Sequence, residues 1–245
     1  MINKNNKKML ILVLIIIILF VLICLLINIF RNVGIYKIKN QDGVKFANEY
    51  EKLNNQEIEE GKKYPKVEIS SDNIVKYTSI EDILDIFNNR GDAVVYFGYS
   101  TCLYCRSAIQ VLIDTAKDTE LDVIHYLDIE NVWDEKKLND ENEVVTVKEA
   151  NDNYYQLLNI LGDELIVDYI LEDLNGNEVK TGDKRLYVPL VIFITDGQVV
   201  SYNKGTLFSQ EDPFVELDKY QREGLSEIYR YGIRDVVDSK KMKSN

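Results

Sequence analysis

The run Ala93-Val94-Val95-Tyr96-Phe97-Gly98-Tyr99-Ser100-Thr101-Cys102-Leu103-Tyr104-Cys105-Arg106 organises this 245-residue chain. Its first five residues are apolar and β-prone and read as a buried strand. Gly98-Tyr99-Ser100 reads as a turn. Beyond the cysteines, Ile109, Leu112, Ile113 and Ala116 recur at helical spacing. The local order is therefore strand, tight loop, dithiol and amphipathic helix. Two cysteines separated by two residues fit the first turn of a helix, where unpaired backbone N–H groups and the positive end of the macrodipole stabilise a thiolate.

Upstream, Ile74 to Tyr77 reads as a strand. Thr78 and Glu81 form a capping box for a helix with Ile80, Ile83, Leu84 and Phe87 on one face, ended by Asn88-Asn89-Arg90-Gly91. Downstream, Val123 to Asp128 reads as the next strand. An acidic, turn-rich insert near 130–150 holds the single tryptophan, Trp133. Tyr154, Leu157, Leu158 and Leu161 give another helical face stopped near Gly162, while Leu165 to Leu171 fits strand or helix equally. Asn175-Gly176 marks a hairpin or loop. Leu190 to Thr195, the turn Asp196-Gly197, and Val199 to Tyr202 spell an antiparallel hairpin with a type I′ signal. A last helix, Leu217 to Val237, has Leu225, Ile228, Tyr229 and Val236 on one face. The order β-α-β-α-β-α-β-β-α places the chain in the α/β class.

From Met9 to Phe30 run 22 residues with Asn28 as the one strongly polar side chain. As a helix they reach about 33 Å, enough to cross a bilayer core. Phe30-Arg31-Asn32-Val33 offers no small-residue cleavage site, so a single transmembrane signal-anchor is expected, not a cleaved signal peptide. Cys24 lacks the small residue a lipoprotein cysteine requires before it and reads as an apolar helix residue. Lysines flank both sides of the span, so counting does not orient it. The other topology would push Lys4, Lys7 and Lys8 across the membrane, whereas a long C-terminal domain translocates largely regardless of charge, which implies N-inside, C-outside. The expected division is a cytoplasmic tail at 1–8, a span at 9–30, a linker at 31–73, the folded domain at 74–238 and a polar tail at 239–245. Within the linker, Phe46, Tyr50 and Leu53 are spaced for a short helix, which serves either as a spacer or as a docked element.

The formal charge of -12 conceals a division: the first 31 residues hold four of the 29 bases and none of the 41 acids, so the remainder carries -16. Such a surface repels phosphate backbones, and no basic stripe argues for nucleic-acid binding. Beyond the span the chain has two cysteines and one histidine, His125. A structural zinc site needs four ligands, so no metal is expected. No phosphate-binding loop, dinucleotide fingerprint or serine-nucleophile elbow occurs, and no cofactor is expected. One close cysteine pair in an oxidising setting, without a framework of bridges, reads as redox-active.

With Val188-Pro189 before the terminal hairpin and Gly205 after it, residues 74–237 resemble the thioredoxin superfamily. Tyr96 to Arg106, together with Arg185-Leu186-Tyr187-Val188-Pro189, is similar to the membrane-anchored thioredoxin-like proteins of Gram-positive bacteria, including bacteriocin-transport accessory proteins. The resemblance implies the thioredoxin fold, a central mixed β-sheet flanked by helices, and a cis Pro189 facing the dithiol, the alternative being a trans proline opening an edge strand. It also implies that Val188 offers its backbone to an extended client strand, with Leu103 and Tyr104 beside it. Cys102 is then the attacking sulfur, and Cys105, more buried, resolves the mixed disulfide. Lowering a thiol pKa from near 8.5 to about 7 differs by roughly 2 kcal/mol, within reach of a helix N-terminus in favourable geometry.

Three departures stand out. Thioredoxins place Trp before the first cysteine and Gly-Pro between the pair, where this chain has Thr101, Leu103 and Tyr104. They carry a buried acid six residues before the first cysteine, where Tyr96 stands, so slower exchange or another proton acceptor is expected. His125 on the neighbouring strand is the one histidine available for proton transfer; the other reading is a satisfied structural residue. Two functions follow. One is a membrane-tethered extracytoplasmic thiol-disulfide oxidoreductase acting on exported protein thiols and disulfides with a membrane or extracytoplasmic redox partner. The other is a redox-inactive thioredoxin-like binding or accessory module at the cell surface.

Overall fold

The computed structural model describes residues 19, 21–23 and 40–244. The tail at 1–8 and all but four positions of the expected span lie outside them; among the described residues no helix is long and apolar enough to cross a membrane. A compact unit covers Asn40–Asn245.

Its centre is a five-stranded mixed sheet in the order β11-β10-β4-β5-β3. Strands β3 (Val75–Tyr77), β4 (Ala93–Gly98) and β5 (Ile124–Asp128) run parallel, and β10 (Leu190–Thr195) lies antiparallel to β4 and to β11 (Gln198–Lys204). All six residues of β4 are buried, as a central strand covered on both faces requires. Alternation along the strands sends Val94, Tyr96, Ile124 and Tyr126 into one apolar cluster and Val95, Phe97 and Leu127 into another. The first cluster is covered by α1 (Gln41–Glu51), α3 (Leu103–Lys117) and α5 (Lys219–Ser244), the second by α2 (Ile80–Asn88) and α4 (Tyr154–Leu161). The result is a three-layer α/β arrangement.

Several boundaries differ from expectation. The capping box of α2 sits one residue later: Ser79 accepts from the Asp82 N–H and Asp82 accepts from the Ser79 N–H, leaving Thr78 to bond His125. The insert is a hairpin of β6 (Glu135–Leu138) and β7 (Val144–Lys148) after a 3-10 turn at Ile129–Asn131. Leu165 to Leu171 resolves into β8 (Ile166–Glu172), which pairs with β9 (Glu178–Leu186) in a long polar-apolar ribbon. The Asp196-Gly197 turn has positive φ at both residues (53° and 72°), as a type I′ turn requires. Helix α5 runs seven residues past Val237 to Ser244, so the tail at 239–245 is helical in its described part; Ile228 turns outward while Gly232 and Ile233 complete the buried face.

Of the expected linker at 31–73, residues 31–39 lie outside the described residues. Residues 40–73 are part of the compact unit, not a linker. Phe46 and Tyr50 of α1 are fully buried in the first cluster, and Asn73 stitches the helix to β3 by donating to Gly43 O (2.8 Å) and accepting from Val75 N (2.9 Å). A small ribbon, β1 (Glu57–Glu59) with β2 (Lys62–Lys63), follows. The segment docks because two aromatics and their neighbours must leave water, each side chain contributing roughly 1.5–3 kcal/mol.

Candidate functional site

At the carboxyl end of β4 the chain turns through Gly98-Tyr99-Ser100 and enters α3 with Cys102 as N-cap, in extended backbone. Cys102 Sγ accepts the Cys105 N–H at 3.1 Å, so sulfur occupies the capping position that an oxygen usually holds. The two cysteines form a disulfide with Cα atoms 5.1 Å apart. Cys105 is 0 % exposed, whereas Cys102 is half-buried. Accessible and buried sulfurs at a helix N-terminus give the pair unequal reach to a macromolecular partner.

Pro189 and Val188 come to the same end of the sheet. Leu190 pairs with Phe97, which sets Pro189 at the level of Gly98 one step further on. The Val188-Pro189 peptide is cis, and Gly205 N donates to Pro189 O at 2.7 Å. Val188 is half-buried and packs, like Cys102, against the first cluster. Leu103 and Tyr104 open α3 half-buried, and the Tyr104 hydroxyl donates to Glu211 O at 3.3 Å, fastening the dithiol turn to the loop after β11.

Tyr96 lies directly beneath the dithiol helix. Its hydroxyl donates to Cys105 O at 3.1 Å and lies 3.4 Å from the Tyr50 hydroxyl. The Tyr96 and Tyr126 rings stack at 5.6 Å. Burial first, then the neighbouring phenols, pushes the Tyr96 hydroxyl far above its ordinary range, so it remains a neutral donor. Gly98 makes room for this ring: a Cβ there would stand 2.4 Å from the Tyr96 oxygen.

His125 is not brought to the dithiol. In register with Val95, it faces away from Tyr126, Tyr96 and Cys105 by strand alternation, and its Nδ1 lies 3.1 Å from Thr78 Oγ1. Burial, then Lys76 and Lys240, depresses its pKa to about 4, leaving it neutral. Proton transfer from that ring to either sulfur would have to cross the sheet. Asp128, which sequence reading passes over as a strand end, is in register with Gly98, and burial, then Glu49, raises its carboxyl to about 6.

Arg106 is the buried charge beside the dithiol that sequence reading misses. It is 0 % exposed, and its guanidinium donates to Pro65 O (3.0 and 2.9 Å), Tyr50 O (2.9 Å), Ser100 O (3.2 Å) and Asn54 Oδ1 (2.6 Å). A signal was present: Arg106 stands three and seven residues before Ile109 and Ile113, on the apolar spacing of α3. The insert is also anchored here. Trp133 packs edge-on against Tyr99 at 5.6 Å, and the Arg185 guanidinium lies 3.7 Å over the Trp133 ring. Thr101 Oγ1 donates to Glu130 at 3.4 Å.

Among the described residues no group of three or more His, Cys, Asp or Glu side chains is arranged to hold a metal ion. The fold and the site define a mixed α/β protein with a Cys-x-x-Cys disulfide at a helix start. No protein-family model matches the chain, and no curated protein matches it.

Proposed function

We propose that this protein is a membrane-tethered, extracytoplasmic thiol-disulfide oxidoreductase of the thioredoxin superfamily. The observation that carries the reading is the Cys102–Cys105 disulfide at the start of α3, with the cis Val188-Pro189 peptide at the same end of the sheet. The sheet order and its mixed strand directions support the fold assignment. The tether rests on the apolar run at 9–30, and the outward topology on the basic tail before it.

In the oxidised protein a client thiolate attacks Cys102 Sγ. The new intermolecular S–S bond forms as the Cys102–Cys105 bond breaks, and Cys105 leaves as a thiolate that takes up a proton. A second client thiolate attacks the client sulfur of the mixed disulfide, releasing Cys102 as a thiolate. The client has lost two electrons and the protein has gained them. The reverse sequence reduces a client disulfide, with Cys105 as the resolving sulfur. Val188 supplies the backbone edge for the client segment, flanked by Leu103 and Tyr104. The redox partner that resets the pair is a membrane or extracytoplasmic dithiol or disulfide.

The test is a full-length Cys105→Ser protein expressed in the native host. Covalent complexes on non-reducing gels that disappear in a Cys102→Ser, Cys105→Ser double variant are expected. Absence of any thiol-sensitive complex, with full function retained by Cys102→Ser, would leave the accessory-module reading in its place.

A further inference from the structure

A guanidinium fully withdrawn from water normally sits against a carboxylate, because an isolated buried charge costs several kcal/mol. Arg106 does not. Among the described residues it forms no ion pair, and all its acceptors are neutral: three backbone carbonyls and one amide oxygen. The Tyr64 ring lies 5.5 Å from it, and burial raises the Tyr50 and Tyr96 hydroxyls well above their ordinary range, so neither phenol supplies a negative charge. Beyond it opens a cleft of about 390 Å³ whose other charged residues are Lys66, Glu68, Glu216 and Arg222, two of each sign, so the cleft supplies no net counter-charge. Desolvation lowers the Arg106 pKa, yet a guanidinium starts so high that it stays protonated.

The position of this charge is specific. Arg106 follows Cys105 directly, its backbone N–H donates to Cys102 O at 3.1 Å, and its guanidinium Nη1 donates to Ser100 O, two residues before Cys102. It thus bridges both ends of the dithiol turn from behind. On the dithiol side the opposing charges are Glu130, through Thr101, and Asp128, in register with Gly98.

We propose that Arg106, kept charged by neutral acceptors from Tyr50, Asn54 and Pro65, stabilises the thiolate of the reduced dithiol and so sets its acidity and redox poise. The residues between the membrane tether and β3 thereby become part of the redox site. A cation in a low-dielectric setting lowers the pKa of a neighbouring thiol, and stabilising the thiolate makes the disulfide more oxidising. The proposal rests on the dithiol cycling between its two states, but its measurement needs no client.

The test follows Cys102 alkylation by iodoacetamide against pH in the reduced full-length protein, read by mass of the Cys102 peptide, together with its equilibrium with glutathione. Three variants are compared: Arg106→Met removes the charge, Arg106→Lys keeps it, and Asn54→Asp places a carboxylate on the guanidinium. Arg106→Met and Asn54→Asp are expected to move the alkylation midpoint up by about one pH unit, while Arg106→Lys stays within a few tenths. The glutathione equilibrium moves about tenfold toward the disulfide in the first two. An unmoved midpoint in folded Asn54→Asp, or an equal shift in Arg106→Lys and Arg106→Met, overturns the proposal in favour of a purely structural pin. If Asn54→Asp does not fold, the Met and Lys pair decides; if Arg106→Met does not fold, Asn54→Asp decides. Loss of client complexes with the midpoint shifts intact counts against the oxidoreductase reading instead.

Discussion

The Tyr96 hydroxyl donates its hydrogen bond to the carbonyl oxygen of Cys105 across 3.1 Å, inside a core where neither residue meets water. The strand that leads into the dithiol turn therefore also holds the helix that leaves it. Tyr96→Phe deletes the donor, orphans a buried carbonyl lone pair and strips the Tyr50 hydroxyl of its nearest partner. The expected loss is about 1–3 kcal/mol in urea unfolding. A loss below a few tenths would mean that the hydroxyl contributes nothing.

Gly98→Ala drives a methyl group against the same ring, 2.4 Å from its oxygen. Neither β4 nor Tyr96 has room to move, because both are buried. Destabilisation of about 1–3 kcal/mol is expected, read as a lowered midpoint of thermal unfolding.

Gly232 is a second close approach, where α5 crosses β10. A Cβ there would lie 2.3 Å from the Phe193 ring, so Gly232→Ala must lift the helix or rotate the ring. The expected cost is again about 1–3 kcal/mol. Gly232→Ala with Phe193→Leu should recover part of it, since the smaller side chain vacates the contact; a double variant no better than Gly232→Ala would refute the steric account.

Acid titration should reveal two opposed groups. His125 is depressed to about 4 in the fold against 6.5 free, so the unfolded chain binds the extra proton and stability falls as pH drops from 6.5 to 4. Asp128 is raised to about 6 against 3.8 free, so the folded chain binds the extra proton and stability rises as pH drops from 6 to 3.8. Each effect is on the order of 2–3 kcal/mol, and they nearly cancel. Urea unfolding of Asp128→Asn should therefore lose stability between pH 6.5 and 4 relative to wild type, and His125→Gln should gain it. Parallel slopes in the two variants would contradict the assignment.

Removing residues 1–73 takes away Phe46, Tyr50 and three of the four groups that accept from Arg106. Such a fragment is expected to lose cooperative unfolding and near-ultraviolet dichroism, whereas one beginning at Asn40 keeps both. A cooperatively folded 74–245 fragment would show that α1 is dispensable.

Local pattern carried much of this protein. The alternation and β-propensity of Ala93 to Phe97, the paired cysteines before Ile109 and Leu112, and Asp196-Gly197 each declare themselves within a few residues, because strand, helix-start and turn chemistry are short-range. The central sheet and the dithiol after its middle strand were legible for that reason. Three features were decided only by tertiary structure. The spacing of Phe46 and Tyr50 signalled a helix but not whether it docks, since docking depends on an apolar surface assembled from β3, β5 and α3. The location of His125 on the face opposite Cys105 follows from strand register, which one strand alone does not specify. The burial of Arg106 is a long-range fact of the same kind. An arginine on an apolar helical face is tolerable only when carbonyls from Tyr50 and Pro65, more than forty residues away in sequence, arrive to accept its hydrogen bonds.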